Sequence, residues 1–111
     1  MRQDEPLDAA PTGAAEQETR VKLMAATPRE FAIGMARLLR DMPHATSGAV
    51  TTIELLPGTV TVTYIAREGR RLSPLVVMPA ADVTFVFTGV STTARDAFIS
   101  KFDKVFQRGG G

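Results

Sequence analysis

Two alternating runs, Ala49 to Leu56 and Thr59 to Ala66, flank Pro57-Gly58, and no other stretch constrains the fold as tightly. A period of two sends successive side chains to opposite faces of a strand. Pairing Leu56 with Thr59 sets Leu55 against Val60, Ile53 against Val62 and Thr51 against Tyr64 on one face. The other face then takes Glu54 with Thr61, Thr52 with Thr63 and Val50 with Ile65. Each strand separately offers one apolar face and one rich in threonine, as a half-buried antiparallel pair requires. A Pro-Gly type II turn twists poorly for a two-residue hairpin, so the spacing also allows a wider loop.

A second hairpin is expected from Leu75 to Met78 and Val83 to Thr88, around Pro79-Ala80-Ala81. Pairing Val77 with Val83 and Leu75 with Phe85 puts Val83, Phe85 and Phe87 on the core side and Thr84, Val86 and Thr88 on the other. Between the hairpins, Arg67 to Pro74 reads as a basic loop turning at Glu68-Gly69. Pro74 lacks a ladder donor, so a regular strand is expected only after it. Thr19 to Ala25 alternates as well, with Val21, Leu23 and Ala25 on one side and Arg20, Lys22 and Met24 on the other.

Thr27-Pro28-Arg29-Glu30 is a helix start: a capping threonine, proline at the first helical position, and a glutamate that completes a capping box. Phe31, Met35, Leu38, Leu39 and Met42 follow at helical spacing until Pro43. Gly34 inside that helix costs about 1 kcal/mol relative to alanine, which points to close packing there. A last helix is expected to be capped by Thr93, with Asp96 three residues on and Phe98, Ile99, Phe102, Val105 and Phe106 as its apolar stripe. The expected fold is therefore a two-layer α+β domain of order (β)-α-β-β-β-β-α. Its antiparallel sheet has four strands, or five if Thr19 to Ala25 joins, and both helices cover one face.

A chain of 111 residues suits one domain, able to bury roughly 60–70% of its unfolded surface. Residues 1–18 set five carboxylates against Arg2 alone, a balance of −4 that leaves +5 on the remainder of a chain whose formal charge is +1. That stretch, poor in large apolar side chains, is expected to be a disordered acidic tail, residues 19–108 a single domain, and residues 109–111 a flexible glycine tail. No apolar run approaches the ~18 residues of a membrane span, and the acidic N-terminus is unlike a signal peptide, so no membrane partner is expected and the expected compartment is the cytoplasm.

No cysteine is present and His44 is the single histidine. Thiol nucleophiles are thereby excluded, while histidine-based triads and most metal sites call for residues present here once and without an evident partner; no cofactor is expected, and a non-catalytic protein is the leading reading. With both helices on the Tyr64/Phe85/Phe87 side, Thr61, Thr63, Ile65, Val76, Met78 and Val86 share an outer face with few charges. Such a face is a candidate contact surface for a second copy of the chain, although threonines and scattered valines also suit an ordinary solvated strand. Arg67, Arg70 and Arg71 form a candidate site for nucleic acid or another polyanion; the plainer alternative is a solvated loop guarding a sheet edge. A small-molecule pocket between helix and sheet near His44 and Tyr64 is the third possibility, resting on one histidine with no partner evident in the sequence.

Overall fold

The computed structural model describes residues 16–109. It contains strand β1 (Gln17–Met24), helix α1 (Pro28–Leu38), strands β2 (His44–Ser47), β3 (Val50–Glu54), β4 (Thr59–Ser73) and β5 (Val76–Thr88), and helix α2 (Thr92–Gly109). The strands form one five-stranded antiparallel sheet in the order β1-β5-β4-β3-β2. Residues 1–15 and 110–111, and with them most of the expected acidic tail and the glycine end, lie outside the described residues. Gln17 and Glu18 are not tail but the opening of β1.

Helix α1 begins as its sequence dictates. The Thr27 side chain accepts from the Glu30 amide at 3.1 Å, and the Glu30 carboxylate accepts from the Thr27 amide at 2.9 Å. Its regular turns stop at Leu38, and a looser turn carries the chain to Pro43. Helix α2 starts earlier than expected: Ser91, not Thr93, caps it, its hydroxyl accepting from the Ala94 amide at 3.1 Å.

Both helices lie on one sheet face. Phe31, Met35 and Leu38 of α1, Leu39 just after it, and Phe98 and Phe102 of α2 are buried with Ile53, Val60, Val62, Val83, Phe85 and Phe87 of the sheet. Phe85 meets Phe102 edge-on at a centroid separation of 4.9 Å, and Phe102 leans on Phe106 at 4.4 Å. Full burial of a phenylalanine stabilises by about 1.5–3 kcal/mol, and aromatic contacts add to it. This cluster is the centre of the fold.

The β3–β4 register is displaced by two residues from the expected one: Ile53 opposes Val60 and Thr51 opposes Val62. Because the displacement is even, every side chain keeps its face. The wider loop is the cause, with the Leu55 amide bonding the Gly58 carbonyl at 3.0 Å. Gly58 has φ +87°, and a Cβ there would lie 2.4 Å from the Gly89 carbonyl oxygen, so the loop and the end of β5 admit only glycine at that contact.

Two larger expectations are overturned. The second hairpin, with its pairs Val77–Val83 and Leu75–Phe85, does not form: Val76 to Thr88 is one continuous strand. Its partner is the extension of β4 through Arg67 to Ser73, which is strand and not loop, and the chain reverses at Pro74-Leu75. His44 to Ser47, unassigned by pattern, forms the edge strand β2.

Candidate interaction surfaces

β1 reverses the usual polarity of an edge strand. Glu18, Arg20 and Lys22 point to the helical side, and Val21 and Leu23 point away from it, 61% and 72% exposed. The charged side is paired with the end of β5 and with α2. Arg20 contacts Glu18 at 2.6 Å and Asp96 at 3.3 Å, and Lys22 contacts Asp103 at 3.1 Å. The Glu18 carboxylate, accepting that hydrogen bond, holds the Arg20 guanidinium still more firmly protonated than usual. Arg95 anchors the corner, donating to the Val90 carbonyl at 2.7 Å and the Thr92 hydroxyl at 2.8 Å. Its Nε lies 2.9 Å from Glu18 but out of line for a hydrogen bond.

The open sheet face follows from the register. Thr19 and Thr61 flank Val86, Val21 and Thr63 flank Thr84, Leu23 and Ile65 flank Asp82, and Val50 lies beside Thr63. Alternation gives this face only Glu54, Asp82 and Arg67 as charged residues, and Arg67 and Asp82 pair with each other. No element covers it among the described residues. Of the six residues expected to form an outer surface, Thr61, Thr63, Ile65 and Val86 are brought together here. Val76 and Met78 share the parity of Val86 on β5 but lie further along it, outside the five-stranded part. Val21 and Leu23 belong to the face and went unrecognised, although their alternation with Arg20 and Lys22 was visible. Nothing local says which side of such a strand faces the helices.

Beyond Tyr64 on β4 and before Ala81 on β5 the two strands pair only with each other. Four residue pairs join its strands, from Arg67–Ala80 to Ser73–Val76, and its β5 side runs from Val76 to Ala80, roughly 17 Å at ~3.3 Å per residue. It carries Arg67, Arg70 and Arg71 on one strand, with exposed Leu72, Leu75, Val76, Val77 and Met78 around them. The three arginines do not converge: Arg67 binds Asp82, Arg71 donates back to the Pro74 carbonyl at 3.2 Å, and Arg70 lies between register shifts.

On the helical side, a cleft of about 480 Å³ opens between α1 and the β2–β3 hairpin, lined by Phe31, Met35, Leu39, His44, Thr51 and Tyr64 among others. Its polar groups are largely engaged. Tyr64 donates to the Ala26 carbonyl at 2.6 Å, the Thr46 and Thr51 hydroxyls lie 3.0 Å apart, and His44 Nδ1 sits 2.8 Å from the Met42 carbonyl. The structure thus brings His44 and Tyr64 to one cleft without giving His44 a carboxylate partner among the described residues. No group of three His, Asp or Glu side chains is placed to hold a metal ion among the described residues, and none of their helices is long and apolar enough to cross a membrane. No protein-family model matches the chain, and no curated protein or solved structure matches it either.

Proposed function

We propose that this chain is a small, non-catalytic cytoplasmic assembly module that forms a homodimer by docking its open sheet face onto the same face of a second copy. The observation that carries the reading is the reversed polarity of β1. An edge strand with solvent on its outer side would hold its charges there; this one commits them to the helical side and leaves Val21 and Leu23 out.

A second copy suits the face for an electrostatic reason. An isologous interface sets a patch against itself, so any unbalanced charge meets its own sign. Here Arg67 and Asp82 neutralise one another, and Glu54 lies at one end of β3. Threonine and valine rows from two such sheets can interdigitate at the ~10 Å spacing of stacked sheets.

Val86→Lys is the direct test, because Val86 sits mid-face between Thr19 and Thr61. Sedimentation equilibrium should show a dimer for the unaltered chain and at least a tenfold weaker one for the variant, with an unchanged circular dichroism spectrum. Leu56→Lys, in the β3–β4 loop, should leave the dimer intact. A dimer indifferent to Val86→Lys rejects this interface.

One observation favours a second reading. A two-stranded ribbon bearing Arg67, Arg70 and Arg71 has the dimensions to enter a major groove. Salt-dependent binding of duplex DNA, weakened by Arg70→Gln, would support it. Two of the three guanidinium groups are already engaged within the chain, which is why it ranks second.

A further inference from the structure

We propose that the ribbon from Arg67 to Met78 is a clasp that packs along the second copy of the dimer. This inference rests on the sheet-face reading and adds the element that completes the interface.

The sequence of the ribbon is not that of an arm in water. A strand with one solvated face alternates, and a strand covered on both faces is apolar throughout. Val76, Val77 and Met78 are consecutive, so both faces of the ribbon expose large apolar side chains, with Leu72 and Leu75 near the turn adding to them. Leu75 is 94% exposed. Two-stranded hairpins without a layer against them are marginal in water. A packing partner on each side resolves both facts.

The area points the same way. Four strand spacings of about 4.8 Å by about seven residues of ~3.3 Å give the open face a footprint of roughly 450 Å². Stable interfaces take about 800 Å² from each partner. The two faces of the ribbon, each roughly 10 Å by 17 Å, add about 340 Å² and bring the total close to that figure. On β5, Met78 and Val76 continue the alternation of Asp82, Thr84 and Val86, so one ribbon face is the prolongation of the open sheet face. The register shifts at Arg67/Arg70 and Arg71/Ser73 add twist and bend the ribbon relative to the sheet, as an embracing arm requires.

The charges select protein over nucleic acid. With Arg67 neutralised by Asp82, the ribbon keeps Arg70 and Arg71 against Glu68, a balance of only +1, and Arg71 is already turned to the Pro74 carbonyl. A two-fold axis can pair such charges between copies, whereas a phosphate backbone calls for several uncompensated cations.

The test combines limited trypsin digestion with sedimentation equilibrium on the full chain, well above and well below the dimer dissociation constant. Cleavage after Arg70 and Arg71 should be at least tenfold slower in the dimer. Val77→Asp, on the ribbon face turned from the open sheet, should weaken the dimer at least tenfold, and Leu75→Ser should do so by a smaller factor, both with a folded monomer. A dimer that forms normally with Val77→Asp, and whose ribbon is cut equally fast at both concentrations, overturns the clasp and leaves the sheet-face reading standing. A monomer at every concentration overturns both. Protection conferred only by an added DNA duplex overturns the clasp in favour of the arginine reading.

Discussion

A Cβ placed on Gly34 would lie 2.3 Å from Cε1 of Phe106, so helix α1 touches the ring of α2 with its backbone. The ring cannot simply swing aside: it also stacks on Phe31 at a centroid distance of 5.5 Å and leans on Phe102 at 4.4 Å. Gly34→Ala gains about 1 kcal/mol of helix propensity and meets an overpacking cost of about 1–3 kcal/mol. The expected net effect is destabilisation by about 1 kcal/mol, a fall of roughly 4–8 °C in Tm for a domain of this size. Adding Phe106→Ala should make Gly34→Ala favourable, a sign reversal that urea unfolding of the four proteins in the cycle detects.

Tyr64 is the sole tyrosine, so its titration can be followed by tyrosinate absorbance without ambiguity. Burial, and secondarily the Glu30 carboxylate, push its hydroxyl above the ordinary range near 10.0. A raised folded-state value means that the unfolded chain releases the proton first. The stability is therefore fully present below pH 10 and is lost as pH rises through the folded-state value. Tyr64→Phe should abolish that alkaline dependence and cost about 0.5–1.5 kcal/mol at neutral pH, through loss of the bond to the Ala26 carbonyl.

Arg95 and Lys22 both tie the edge of the fold together, but to different depths. Arg95 keeps 12% of its side chain exposed and has two neutral acceptors besides its ion pair with Glu18, whereas the Lys22–Asp103 pair is more than a third exposed on average. Arg95→Met should cost about 1–3 kcal/mol, since it strands the buried Val90 carbonyl. Lys22→Met should cost less than about 1 kcal/mol, as exposed pairs generally do. Equal costs in denaturant melts would show that the corner is not organised around Arg95.

The cleft beside α1 has the size and apolar walls of a small-ligand site. It should take up an environment-sensitive apolar fluorophore with micromolar to millimolar affinity, and Ala36→Trp should abolish that uptake by filling it. His44→Ala should leave the affinity within a factor of two, because the imidazole is already engaged at Met42. Fluorescence titration of the three proteins decides.

What could be read from the residues was whatever depends on local chemistry or on parity. The capping box at Thr27, the stripes of both helices and the assignment of Val60, Val62, Phe85 and Phe87 to the core all follow from spacing, and even a two-residue shift of register left the faces intact. The ribbon was hidden because it contains the strongest breakers in the chain. Pro79 was read as a turn, yet it lies where β1 no longer pairs and opposite the register shift at Arg67/Arg70, a position where a missing donor is tolerated. β2 escaped because its four residues are all exposed and carry no alternation. The candidate face was half legible: its β4 and β5 residues were placed by pattern, whereas the contribution of β1 depends on ion pairs to α2 that no local pattern encodes.

Among the described residues, strand β1 pairs with β5 alone, Gln17 opposite Thr88 and Met24 opposite Ala81, and the Gly89 amide bonds the Glu16 carbonyl. Among the described strands, the first to leave the ribosome is therefore the one whose neighbour is made last. Its Val21 and Leu23, the same side chains that dress the open face, must wait unpaired while most of the chain is synthesised. Vectorial synthesis and sheet order run against each other in this molecule, and the sheet can be completed only after Thr88 has cleared the exit tunnel.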